Sequence, residues 1–137
     1  MKTNFKNYLK KKNTQAAIDK IVQQYEDKKI VLYGADIFTG DLFRNYDLSK
    51  LKIIGIADKK FENDSEGDYY GYAKMSPYDL LETDFDLLLI TAYDDMEIKN
   101  FLKKDLLQGE DIKFKIKTLI RMNLFEYIKG LINGDIG

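Results

Sequence analysis

Apolar residues fall along this chain in two periods. Short continuous runs alternate with stretches where they recur every three or four positions, the pattern of buried strands separated by amphipathic helices. Ile30-Val31-Leu32-Tyr33 is the first such run; Gly34 ends it, and Leu42, Phe43 and Tyr46 follow at helical spacing. Leu51 to Ala57 (LKIIGIA) is the second, and its near-continuous apolar character suits a parallel strand covered on both faces. Tyr69 to Met75 predicts a short third strand, and Pro77 starts a short helix through Leu81. Phe85 to Thr91 (FDLLLIT) predicts a fourth. It leads through Ala92-Tyr93-Asp94-Asp95 into a helix with Ile98, Phe101, Leu102 and Leu106 on one face, stopped at Gly109. Lys113 to Ile120 alternates, as an edge strand half open to water does. Leu124, Phe125, Ile128, Leu131 and Ile132 mark a final amphipathic helix, expected to pack on the sheet or on a partner chain.

Ahead of the first strand, Asn13 or Thr14 caps a helix running to about Asp27, with Ala17, Ile18, Ile21, Val22 and Tyr25 on one face. Residues 1–12 carry five lysines, with Phe5, Tyr8 and Leu9 at helical spacing. They read as a short frayed helix with a solvated lysine face. Asp47-Leu48-Ser49 forms a turn and FENDSEGD a surface loop. Alternating strands and helices predict an α/β domain of three layers. The expected form is a Rossmann-like, doubly wound, mainly parallel five-stranded sheet of order 3-2-1-4-5, with helices on both faces and extra N-terminal helices. Residues 1–137 make one domain, with 1–28 as an N-terminal helical segment packing on it.

Composition narrows the chemistry. The 22 basic and 23 acidic side chains leave a net charge of −1, so no global field attracts nucleic acid or a membrane surface. Arg44 and Arg121 are the only arginines, and bidentate phosphate recognition calls on arginine more than on lysine. With no cysteine and no histidine, thiolate chemistry, the Ser-His-Asp arrangement and the commonest zinc ligands are excluded. No apolar run approaches a membrane span and the N-terminus lacks a signal-peptide core, so a cytoplasmic protein is expected.

In a doubly wound sheet, ligands bind outside the carboxyl ends of the strands where the strand order reverses. That point gathers Gly34, Ala35, Asp36, Ile37, Phe38 and Thr39 through Gly40, with Asp58-Lys59-Lys60 and Thr91, Ala92, Tyr93 to Asp95. The dinucleotide fingerprint needs glycine at 34, 36 and 39; the chain has Gly34, Asp36 and Thr39, so NAD binding by this motif is not expected. Asp58, twenty-four residues after Gly34, stands where a ribose-binding acid would. Asp36, Asp58, Asp94 and Asp95 either converge to hold magnesium or work as acid and base, or serve as caps and solvated turn residues.

Two resemblances bear on function. LLLITAYDD resembles the fourth-strand region of response-regulator receivers. Their acceptor aspartate and their lysine-proline pair have no counterpart here, where Pro77 is the only proline. A broader resemblance covers Lys29 to Ile120: IVLYGA, Thr39, DLSKLKIIGIAD, Gly71-Tyr72, Ser76-Pro77 and DFDLLLIT. It is to bacterial Rossmann-like domains that accompany surface-polysaccharide and glycan-modifying enzymes. Their first turn usually reads Gly-Ala-Gly; Gly34 and Ala35 match it and Asp36 departs from it. The resemblance implies a stand-alone module for a nucleotide or nucleotide-sugar, in full or degenerate form. A small sugar-nucleotide enzyme using Asp36, Asp58, Lys59 or Tyr93 is the second reading. A ligand-free protein–protein module, contacting a second copy or a partner enzyme through its terminal helices, is the third.

Overall fold

The computed structural model describes residues 4–137. In chain order the elements are α1 (Lys6–Lys11), α2 (Thr14–Gln24), β1 (Ile30–Tyr33), α3 (Ile37–Asn45), β2 (Ile53–Ala57), β3 (Asp68–Tyr69), β4 (Tyr72–Met75), β5 (Leu87–Ile90), α4 (Asp95–Phe101), β6 (Lys115–Thr118) and α5 (Leu124–Asn133). Short 3-10 turns at Lys59–Glu62 and Pro77–Leu81 join strands.

One mainly parallel sheet of six strands, ordered β3-β4-β2-β1-β5-β6, organises the chain. β1 is parallel to β2 on one side and to β5 on the other, in the register Ile30↔Leu87 through Tyr33↔Ile90 with β5. Strand residues divide by parity. Ile30, Leu32, Leu87 and Leu89 join a cluster with Leu9, Ile18, Phe38 and Leu42. Val31, Tyr33, Leu88 and Ile90 join a second cluster with Leu80, Leu102 and Leu106. A strand whose successive side chains face opposite cores must be apolar throughout, which is why these runs carry no polar alternation.

Four expectations need correction. The sheet has six strands rather than five, because Tyr69 to Met75 is a hairpin: Tyr69 pairs with Tyr72 across a two-residue turn. Both turn residues, Tyr70 (φ 51°) and Gly71 (φ 85°), are left-handed, as a type I′ turn requires. Tyr70 is held there by stacking on Phe43, with ring centroids 4.8 Å apart. Asn13 does not cap α2; its backbone is left-handed (φ 53°) and its side chain accepts no capping hydrogen bond. The helix after β5 loosens into a π-helical turn at Leu102–Leu106, where the Leu107 amide donates to the Leu102 carbonyl. The N-terminal helix is not frayed. Phe5, Tyr8 and Leu9 are buried while Lys6, Lys10, Lys11 and Lys12 stay exposed, and burying Leu9 alone contributes about 1.5–3 kcal/mol. Of the lysine-rich segment 1–12, residues 1–3, with Lys2, lie outside the described residues.

The two ends of the described chain meet. Gly137 N donates to Asn4 O, Tyr8 N donates to Asp135 O, and Lys11 pairs with Asp135 at 2.8 Å. Among the described residues no helix is long and apolar enough to cross a membrane.

Candidate functional site

The strand ends bring the turn after β1 against the turns after β2 and β5. Gly34 is left-handed (φ 122°), and a Cβ there would lie 3.1 Å from both the Thr91 carbonyl oxygen and the Ala92 Cβ. Only glycine passes so close to β5 in that conformation. The pair Thr39 and Thr91 then pins the turn. Thr39 Oγ1 is 2.7 Å from the Gly34 and Thr91 carbonyl oxygens and 3.2 Å from Thr91 Oγ1. Both threonines are buried, so their hydroxyls are spent on the fold and not offered to a ligand.

The peptide at Ala35 is held from both sides by the turn after β2. Ala35 N donates to Asp58 Oδ2 at 2.8 Å, and Lys60 Nζ donates to the Ala35 carbonyl oxygen. Asp58 Oδ1 also accepts from Lys60 N, which caps the 3-10 turn. One residue on, Asp36 caps α3, its Oδ1 accepting from Ile37 N at 2.7 Å. A phosphate at the start of α3 would bind backbone amides there. Two of those amides, at Ala35 and Ile37, already face carboxylates.

Beside this turn lies a cleft of about 230 Å³, lined by Tyr33, Gly34, Asp36, Asp58, Lys59, Ala92, Asp94, Glu97, Ile98 and Phe101. Small-molecule sites usually occupy roughly 300–1,000 Å³. Carboxylates dominate its polar lining. Burial pushes the Asp94 carboxyl above its usual range, and the neighbouring charges of Glu97, Asp36 and Asp58 raise it further. Burial, then Asp58, Glu62 and Asp94, likewise raises the Tyr33 phenol. Among the described residues the one ammonium lining it, Lys59, sits over the Phe101 ring at 3.8 Å from its centroid. Among the described residues no group of carboxylates is arranged to hold a metal ion.

A second, shallower depression of about 440 Å³ runs past Ala35 and Ile37 to Arg44, Lys60 and Tyr69. Its cations are engaged: Arg44 pairs with buried Asp41 at 2.5 Å and donates to Tyr70, while Lys60 holds the Ala35 carbonyl.

The predicted site residues therefore separate. Gly34, Asp36, Asp58, Lys59 and Ala92 line the cleft, with Ala92 buried against Gly34. Ala35 and Ile37 border the second depression. Phe38, Thr39 and Thr91 belong to the core. Tyr93 is stacked between Phe5 and Tyr127, at centroid distances of 5.5 and 5.1 Å, and burial raises its phenol. The four aspartates do not all converge. Asp95 is buried on the β6 side, accepting from Thr118 Oγ1 at 3.1 Å and lying 3.5 Å from Lys99. Sequence reasoning missed two acidic residues. Glu97, one helical turn past Tyr93, lines the cleft, and Asp41 accepts from Phe5 N at 2.7 Å, fixing the N-terminal segment to α3. The i, i+3 spacing of Asp41 and Arg44 was the available signal for the second. Comparison of the chain with protein-family models, with curated proteins and with solved structures gives no match.

Proposed function

We propose that this chain is a degenerate Rossmann-like domain, doubly wound in three layers, that does no catalysis and works by binding another folded protein chain. The observation that carries this reading is the Asp58–Ala35 hydrogen bond. It fills with a carboxylate the position where a nucleotide binder presents an amide to phosphate. Each unit charge about 4 Å from a phosphate costs roughly 1–4 kcal/mol at effective dielectrics from 80 down to 20. Asp36 and Asp58 both stand at the turn, so an incoming pyrophosphate is opposed by at least one to three orders of magnitude in affinity. The apolar side chains exposed along α5 support a role in assembly.

A second reading keeps the ligand: a nucleotide or nucleotide-sugar module in bacterial glycan metabolism. It draws on the cleft's place beside Gly34, at the carboxyl ends of the strands, with Tyr33 and Phe101 as ring surfaces. A divalent cation between Asp36 and the phosphate would have to offset the charge.

A melting screen against NAD, CoA and UDP-, CDP- and GDP-sugars, with and without magnesium, separates the two. A ligand at a hundredfold its Kd adds roughly 2.7 kcal/mol to stability. The assembly function predicts no shift in either condition. A saturable shift with any of these ligands refutes it.

A further inference from the structure

The helix α5 is turned inside out. Its inner side presents Tyr127, stacked on Tyr93, and Gly130, on which the Ile136 side chain rests so closely that a Cβ would lie 2.6 Å from Ile136 Cδ1. Its larger apolar residues face water: Leu124 is 74% exposed, Phe125 73%, Ile128 47%, Leu131 44% and Ile132 79%. At 100° per residue these five occupy one stripe centred on Ile128, with no charge inside it. The helix is capped at both ends and held in this orientation by Glu126 and Tyr127. The Asn123 side chain accepts from Glu126 N at 2.8 Å, Gly134 closes the C-terminus in the left-handed conformation, and Glu126 is tied to Tyr8 and Lys12 at 2.7 Å each. The caps are internal to the helix, but turning the stripe inward would break the Glu126 ties and the Tyr127–Tyr93 stack.

We infer that this stripe is the contact between two copies of the chain, their α5 helices packed antiparallel across a two-fold axis at Ile128. The inference rests on the assembly function proposed above and names its partner. Three observations favour a second copy. The apolar positions are symmetric about Ile128: Leu124 and Ile132 lie four residues to either side, Phe125 and Leu131 three. In an antiparallel pair about a two-fold axis at Ile128 that symmetry sets apolar against apolar, Leu124 against Ile132 and Phe125 against Leu131. The area is sufficient. Taking large apolar side chains at about 200 Å² each, the stripe exposes on the order of 600 Å² per chain, so pairing that buries it fully removes about 1,200 Å², the lower end of a specific interface. Finally, the stripe offers no charge with which to select a different partner, and a net charge of −1 per chain opposes pairing little.

Sedimentation equilibrium of the full chain at micromolar concentrations tests the pairing. Wild type should run at twice its 16.0 kDa mass. Ile128→Asp should weaken the dimer on the order of a hundredfold or more, because each substitution acts twice across the axis. Its circular dichroism, read where both proteins are monomeric, should match wild type, with a melting temperature lowered by no more than a few degrees, since about half of Ile128 is already exposed in the single chain. The orientation is read by cross-linking, as the chain has no cysteine of its own. Leu124→Cys mixed with Ile132→Cys should oxidise to the mixed disulfide faster than either variant links to itself. A monomeric wild type, or an Ile128→Asp protein that dimerises as well as wild type, overturns the pairing whatever the nucleotide screen returns. Faster self-linking of either cysteine variant overturns the antiparallel arrangement. A ligand shift in the nucleotide screen overturns the assembly function and not the pairing.

Discussion

Thr39→Val isolates the staple that joins the glycine turn to β5. Valine keeps the volume and branching of threonine, so no cavity opens and the helix start is undisturbed. What is lost is the single hydroxyl 2.7 Å from the Gly34 and Thr91 carbonyl oxygens, in a residue with no exposed surface. Leaving a buried acceptor without its donor costs about 1–3 kcal/mol. For a chain of this length that corresponds to a fall in melting temperature of roughly 3–10 °C. The assay is thermal unfolding followed by circular dichroism, with Thr91→Val and the double variant alongside. The Thr91 hydroxyl is 3.2 Å from that of Thr39, so the two losses should be coupled and the double variant should lose less than their sum. A Thr39→Val protein that melts within about 1 °C of wild type would refute the staple, since an open polar site tolerates the change at that level.

Two further predictions concern the same turn. Gly34→Ala should destabilise by about 1–3 kcal/mol in denaturant unfolding, because alanine is strained at φ 122° and its Cβ meets the Thr91 carbonyl at 3.1 Å. An alanine variant as stable as wild type would show the turn able to shift away from β5. Asp94→Asn should melt higher than wild type at pH 7. The folded-state pKa of Asp94 is raised above 3.8, so the folded state holds its proton more tightly and stability falls as pH rises from 3.8 through the folded pKa. The variant's advantage should thus vanish below pH 3.8, and a gain that persists there would exclude the burial and crowding of the Asp94 charge as its cause.

The buried strands were legible because burial on both faces leaves no choice of residue. IVLY, IIGIA and LLLI each form the strands their apolar runs predict, and alternation marks β6 as the edge beyond β5. The hairpin was not legible, since Tyr70 occupies a left-handed position usually given to asparagine or glycine and is kept there by Phe43 from a distant helix. The π-helical turn was hidden for a related reason: Leu102 and Leu106 keep helical spacing whether the turn closes at four residues or five. At the site, Gly34, Asp36 and Asp58 were found by position along the chain. Their roles were not, because a carboxylate that binds ribose and one that closes a backbone amide occupy the same place in sequence. Only the 2.8 Å contact to Ala35 N separates them. The outward stripe of α5 posed the opposite problem. Its period announced an apolar face, but which way that face points is decided by Gly130, where a Cβ would meet Ile136, and by Tyr127 stacking on Tyr93.

The most direct measurement is an amide NMR titration of the uniformly nitrogen-15-labelled chain with a UDP-sugar, with and without magnesium. If the phosphate seat is closed by the chain's own carboxylates, the amides of Gly34 to Thr39 keep their positions to millimolar ligand, and Ala35 stays protected from solvent exchange through its bond to Asp58. Saturable shifts centred on Ala35, Asp36 and Ile37 would contradict the account, for they would mean that the ligand displaces Asp58 and that the turn still binds phosphate.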